Sequence, residues 1–229
     1  MVHLYFHPSS PNLIWRWENL VPKSGDDFSD PSLANPTTSD LIAAKRILRY
    51  LKGTMNLGIT YSTSTNEDIK EDLYAYSDAS YAGCKITRKS TTGYVVLYAN
   101  AAISWRSHKQ STIALSSTEA EYMASCDASQ EFMYLRMLFS DLGHLKDGPT
   151  LLFQDNQGSI RLAEDFNSTK RTKHIDVKYH FIRKQVEKKR IFIDYIPTSD
   201  MVADCLTKPV GKVILERCRA KMLGLPCSN

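Results

Sequence analysis

No stretch of this chain approaches the ~20 consecutive apolar residues needed to cross a bilayer. Met1–Trp17 lacks a basic segment followed by an apolar run, which argues against a secretory signal. The 5 cysteines (Cys84, Cys126, Cys205, Cys218 and Cys227) include no CxxC pair, so neither a zinc site nor a disulfide framework is indicated. A reducing, intracellular compartment fits them, whether cytoplasm (within a particle) or nucleus. Charge of one sign is also lacking: the formal net charge is only +4, so composition alone does not announce nucleic-acid binding. What is present is ordinary for a protein with a real core, with 42% hydrophobic and 24% charged residues. A length of 229 residues suits one domain plus an accessory segment.

Residues 1–38 are rich in Pro, Ser, Asn and Asp without a sustained period, and read as an irregular leader. Residues 39–68 read as a linking helix and linker. The helix spans Asp40–Leu51, with Asp40 as N-cap, Leu41, Ala44, Leu48 and Leu51 on one face, and Gly53 as its stop. A polar linker lies near Thr63–Asp68. The main domain is expected over 69–210, with a C-terminal helix and tail over 211–229. Within it, Leu73–Ser77 reads as a strand ending at Asp78, and Thr92–Ala99 and Ala102–Arg106 as a hairpin with Asn100 in a left-handed turn position. A short run at Thr112–Leu115 leads into a long helix from about Thr118 to Leu142. Strands at Thr150–Phe153 and Ile191–Ile196 bracket helices at Gly158–Ala163 and about Ile175–Glu187, and Met201–Thr207 reads as a helical turn or two. This order predicts an α/β fold: a mixed sheet flanked by helices.

Two of the strands run into an acid, YAYSD at Asp78 and LLFQD at Asp155. Ligands collect beyond the carboxyl ends of strands in such sheets, although either Asp alone also suits an Asx turn or a helix cap. The long helix adds Glu121. Ala124, Ala128, Phe132, Leu135, Phe139 and Leu142 follow it at three- and four-residue steps, so Glu121 lies at the edge of the packed face. Glu119 points about 200° away, and with Ser116 fits a capping box. A carboxylate on a core-facing stripe is costly unless paired or metal-bound. Clustered carboxylates select hard ions, Mg²⁺ or Mn²⁺, and a pair of such ions suits phosphodiester hydrolysis. Asp204, in MVADCLTK, is by itself a solvated helix Asp and gains weight only as a member of this set.

The stretches YSDASYAG, RKSTTGYVVLY, AISWRSHKQ, ALSSTEAEYMA, DNQGSIRLA, RTKHIDVKYHFIR and IPTSDMVADCLTKP closely resemble the ribonuclease H domain of Ty1/copia-type retrotransposon Pol polyproteins. The resemblance runs from about Asn35 to Leu225, and NPTTSDLIAAKRILRYLKGT resembles the segment that joins reverse transcriptase to that domain. It implies a ribonuclease H-like fold, a mixed five-stranded sheet with its first three strands antiparallel and the others parallel. It also implies Asp78, Glu121, Asp155 and Asp204 as catalytic metal ligands for two Mg²⁺ ions. The chain departs from the family at Ser80, Tyr81 and Cys84, where SDADWAGD is usual, at Gln154, where Cys is common, and in DFNSTKRTKHID. No polymerase motif precedes the linking helix, so the expectation is a ribonuclease H detached from its polymerase.

The implied substrate is an RNA/DNA hybrid, with reverse transcriptase or other Pol products as possible partners and no membrane. Lys170, Arg171, Lys173, Lys178, Arg183 and Lys184 form a basic run suited to its phosphates, though such a run also suits a solvated helix. Lys85, Arg88 and Lys89 are a second candidate contact, with Ser90, Thr91 and Thr92 as hydroxyl donors. His174 and Asp176 either assist the site or cap the basic helix, and capping suits Asp176 better. His108 and His144 read as ordinary surface residues. Many ribonucleases H carry a mobile His before the last acid. IPTSDMVAD has none, which leaves product release to water or another side chain. The alternative function is a catalytically inactive remnant that only binds nucleic acid. An integrase-like reading is disfavoured because Glu121 lies between Asp78 and Asp155 in sequence.

Overall fold

The computed structural model describes residues 36–61, 73–84, 86–144, 148–164 and 176–226. The expectations for residues 1–35, for the linker at Thr63–Asp68, and for Lys85, Lys170, Arg171, Lys173 and His174 lie outside the described residues, as do the side chains of Asp176 and Lys178.

Five strands form one sheet: β1 (Tyr74–Ser80), β2 (Thr91–Tyr98), β3 (Ala101–Lys109), β4 (Thr150–Gln154) and β5 (Ile191–Tyr195). Their order is β3-β2-β1-β4-β5, so β1 is central. It pairs antiparallel with β2 and parallel with β4, and β4 pairs parallel with β5. This is the expected ribonuclease H-like mixed sheet. The helices are α1 (Thr38–Gly53), α2 (Ser117–Asp141), α3 (Gln157–Glu164), α4 (Asp176–Glu187), α5 (Asp204–Thr207) and α6 (Lys212–Leu223).

The two-residue side-chain period of the strands divides the core into two layers. Ala75, Tyr94, Val96, Leu152, Ile191 and Ile193 pack with Tyr122, Ala128 and Phe132 of α2 and Ile182 of α4. The alternate residues Tyr74, Tyr76, Val95 and Leu97 pack on the opposite face against Met201, Leu206, Leu215, Cys218 and Met222, and Tyr50 of α1 joins them. Helices α1 and α6 thus share the core of the central domain.

Several local expectations shift. Asp78 lies within β1, not after it, because the ladder to β2 continues to Ser80↔Thr91. The cap of α1 is Thr37. Asp40 is the other half of that capping box, its carboxylate accepting from the Thr37 N–H at 2.9 Å. Gly53 is the last helical residue, with Thr54 as C-cap. The buried face of α1 is Ala43 and Tyr50, whereas Leu41 and Leu48 are exposed. Both turn residues of the β2–β3 hairpin, Ala99 (φ 48°) and Asn100 (φ 64°), are left-handed, as a two-residue turn matching strand twist requires. Thr112–Leu115 is not a strand, since its backbone serves the entry to α2. The Leu115 N–H donates to the Glu119 carboxylate at 2.8 Å, and the Glu119 N–H donates to the Ser116 hydroxyl at 3.1 Å. Glu119 therefore caps as expected, but through Leu115 and not through the Ser116 backbone. At the far end of α2, Leu142 falls outside the packed face and is exposed.

Candidate active site

The central position of β1 determines where the acids meet. The parallel register Tyr76↔Phe153, continued two residues, sets Asp78 level with Asp155 just beyond β4. Helix α2 crosses the sheet with Glu121 in its first turns, on the packed side that helix phase predicts. Asp78, Glu121 and Asp155 each offer a carboxylate oxygen, and these oxygens lie within 4.8 Å of one another. Asp78 is 2% exposed and Glu121 7%. Among the described residues, Glu121 Oε2 is buried with no hydrogen-bond partner.

Neighbouring groups hold each acid in place. Gly93, opposite Asp78 in the β1–β2 ladder, leaves room for α5 to sit directly on β2. Helix α5 brings the Thr207 hydroxyl to donate to Asp78 Oδ2. Thr198, in the turn after β5, donates its hydroxyl to Asp155 Oδ2 at 2.7 Å. Behind Glu121, the fully buried Gln154 side chain donates to the Glu121 carbonyl at 3.0 Å and to the Ser125 hydroxyl at 2.6 Å, which itself meets the Ser77 hydroxyl at 3.1 Å. These tethers join α2, β1 and β4 beneath the acids.

Asp204 is also buried and stands beside Asp78, but it is outside the three-oxygen cluster. Its Oδ1 is ion-paired with the Lys208 ammonium at 2.7 Å, one turn further on. Sequence reasoning missed Lys208, Thr198, Thr207 and Gly93. The phrase DCLTKP contains two of the four, but nothing in its spacing says that they face Asp78.

Burial and neighbouring carboxylates hold Asp78 and Glu121 protonated to unusually high pH. Asp78 is pushed up to about 7, first by burial and then by Asp204, against Lys208 and the Thr207 hydrogen bond, which favour its charged form. Glu121 is pushed up to about 9 by burial, then by Asp78 and Asp155. Oxygen-only donors in this arrangement fit a hard divalent cation, which would relieve the repulsion and satisfy the orphaned Glu121 oxygen.

The chain matches no protein-family model. It is 39% identical over 187 residues to the retrovirus-related Pol polyprotein from transposon RE1 of Arabidopsis thaliana, a match covering 82% of this chain and 12% of that protein. It is 38% identical over 194 residues to the corresponding polyprotein from transposon TNT 1-94 of Nicotiana tabacum, covering 84% of this chain and 14% of that one. The chain belongs to the family of retrovirus-related transposon Pol polyproteins. It spans about one eighth of the length of these relatives. Among solved structures, LC11-RNase H1 in complex with an RNA/DNA hybrid aligns with a TM-score of 0.44 at 16% identity, over 59% of this chain and 94% of that one.

The basic residues expected in this Pol segment are not equivalent in the fold. Arg88 and Lys184 are exposed, and Lys89 is half-buried. Arg183 is tied inward, its Nε donating to the Leu162 carbonyl of α3 at 2.9 Å. The hydroxyls of Ser90 and Thr92 are buried and accept from the Ala82 N–H and the Gln110 amide, and Thr91 is buried too. Ser90 and Thr92 thus brace the fold; they are not free hydroxyls on the surface. His108 also departs from its expected role. On β3 it meets Asp127 of α2 at 3.2 Å, in a cleft of about 390 Å³ that Tyr94, Arg106 and Glu131 also line. His144 is exposed.

Proposed function

We propose that this chain is a ribonuclease H of a transposon Pol polyprotein, hydrolysing the RNA strand of RNA/DNA hybrids with two Mg²⁺ ions, or Mn²⁺ in their place. The convergence of Asp78, Glu121 and Asp155 within 4.8 Å, with a buried Glu121 oxygen lacking a partner, carries this reading. Asp78, Glu121 and Asp155 would hold the ions, with Asp204 completing the set. When bound, such ions polarise the phosphodiester and lower the pKa of a water nucleophile.

The chain itself supplies position. Thr207 and Thr198 each fix one oxygen of an aspartate, so the carboxylates are oriented before substrate arrives. The Gln154–Ser125–Ser77 tether fixes α2, and with it Glu121, relative to the two strands. Exposed Arg88 and Lys184, together with Lys188, Lys189 and Arg190 at the end of α4, offer cations for the two phosphate backbones of a hybrid.

The test is incubation of the purified chain with an end-labelled hybrid and Mg²⁺ or Mn²⁺, beside Asp78→Asn. The expected result is RNA fragments with 3′-hydroxyl and 5′-phosphate ends from the wild type, and none from a folded Asp78→Asn. An intact hybrid with both metals overturns the reading. Salt-dependent binding without cleavage would instead favour a remnant that only binds nucleic acid.

A further inference from the structure

Among the described residues, Lys208 is a cation that stands against these acids. Its ammonium lies 2.7 Å from Asp204 Oδ1, its side chain is 40% exposed, and that of Asp204 is only 7% exposed. The backbone closes the same turn, with the Lys208 N–H donating to the Asp204 carbonyl at 3.1 Å. The charge reaches beyond its partner. Lys208 favours the ionised forms of both Asp78 and Glu121, and Asp78, Asp204 and Asp155 raise its own pKa although burial opposes them. Lys208 thus carries a tethered positive charge on a short helix seated against β2, in contact with Asp204.

An ammonium and a divalent ion at contact distance on the same carboxylate oxygen repel each other, so binding of one weakens binding of the other. Resting on the metal-site reading above, we infer that Lys208 is the internal counter-ion of the site: it neutralises Asp204 when no divalent ion is bound, and a divalent ion that takes Asp204 Oδ1 displaces it. Lys208 is then a positioning residue, offsetting the charge of a buried carboxylate and holding α5 closed on β2 in the unloaded protein. The affinity of the site for metal includes the loss of this ion pair.

The experiment is calorimetric titration of the full chain with Mn²⁺ at constant pH and salt, comparing wild type, Lys208→Met, Lys208→Arg, Asp204→Asn and the Asp204→Asn/Lys208→Met double variant. Lys208→Met is expected to bind Mn²⁺ about three- to tenfold more tightly, the scale of losing one partly exposed ion pair, and Lys208→Arg to stay near wild type. The double variant is expected to bind no more tightly than Asp204→Asn alone, because the competition passes through Asp204. The melting temperature in chelator should fall in Lys208→Met and recover with Mn²⁺. Circular dichroism checks folding, and Lys208→Gln takes the place of Met if that variant does not fold.

If the wild type binds no Mn²⁺ at millimolar concentration, the metal-site reading itself fails. If the wild type binds and Lys208→Met has unchanged or weaker affinity, the counter-ion inference alone is overturned. Equal tightening in the presence and absence of the Asp204 carboxylate would also overturn it, by showing a general field in place of displacement.

Discussion

Gly93 faces Asp78 across the β1–β2 ladder, and it is the absent side chain at Gly93 that lets α5 reach the acid. A Cβ at this position would lie 2.6 Å from Thr207 Cγ2 and 2.8 Å from Leu206 Cβ, both too close to keep. Gly93→Ala is therefore expected to push α5 outward, costing about 1–3 kcal/mol of stability as an overpacked site. It should also weaken the Thr207 hydrogen bond to Asp78. Urea unfolding and Mn²⁺ titration measure the two effects, and a variant as stable as the wild type would mean that α5 is not held by this contact.

The raised acids give the metal-free protein an inverted pH response. Asp78 moves from 3.8 to about 7 and Glu121 from 4.5 to about 9 on folding, so over that range the folded state holds more protons than the unfolded state. Their contribution to stability is fully present below the unfolded values and is lost as pH rises through the folded ones. In chelator, the melting temperature should fall between about pH 5 and 9 on account of these groups. On the metal-site reading, Mg²⁺ should counter the fall by binding the ionised carboxylates. Glu121→Gln should flatten the chelator profile, most of all toward pH 9. A wild-type profile that rises over this window, with Glu121→Gln parallel to it, would contradict the assignment.

Gln154 is buried, and it bridges β4 to α2 through Glu121 and Ser125. Gln154→Leu removes both donated bonds at similar volume and leaves the Ser125 hydroxyl with Ser77 as its side-chain partner. The expected loss is about 1–3 kcal/mol in urea unfolding, the cost of unpaired buried polar groups. Hybrid affinity should stay close to wild type while turnover falls, because Glu121 is displaced and the basic surface is not. A loss under about 0.5 kcal/mol would place the bridge among neutral substitutions.

The hairpin turn offers a gain. Ala99 takes a left-handed conformation at φ 48°, which a side chain with Cβ disfavours. Ala99→Gly should stabilise the chain by roughly 0.5–1 kcal/mol with the site untouched, the left-handed strain of about 1–2 kcal/mol less the chain entropy that glycine adds to the unfolded state. A lower urea midpoint for this variant would show that the turn is not strained.

The parts of the site that were legible in sequence are those governed by local periodicity. Glu121 was separable from Glu119 by helix phase alone, because 100° per residue places one on the packed stripe and the other at the cap. Asp78 and Asp155 were readable from their strands, although β1 runs past Asp78 and only the parallel register brings the two level. Asp204 depended on resemblance. What was not legible is what distant segments bring to one another: Thr207 reaches Asp78 across 129 positions, and Thr198 reaches Asp155 across 43. Helix α1 was misread for a related reason. Its leucines follow a helical period, but the neighbouring layer takes Ala43 and Tyr50, so Leu41 and Leu48 face outward.

The 129-position gap between Asp78 and Thr207 makes their contact one expected to close late. The sheet can assemble from β1 through β5 before α5 docks, and contacts so far apart in sequence are slow to close. Docking α5 adds the Asp204 charge to a cluster already crowded with acids. The last stage of assembly therefore runs against electrostatic repulsion, with Lys208 arriving on the same short helix as the charge it offsets. A chain folding where divalent ions are scarce would depend on Lys208 to bring that final contact shut.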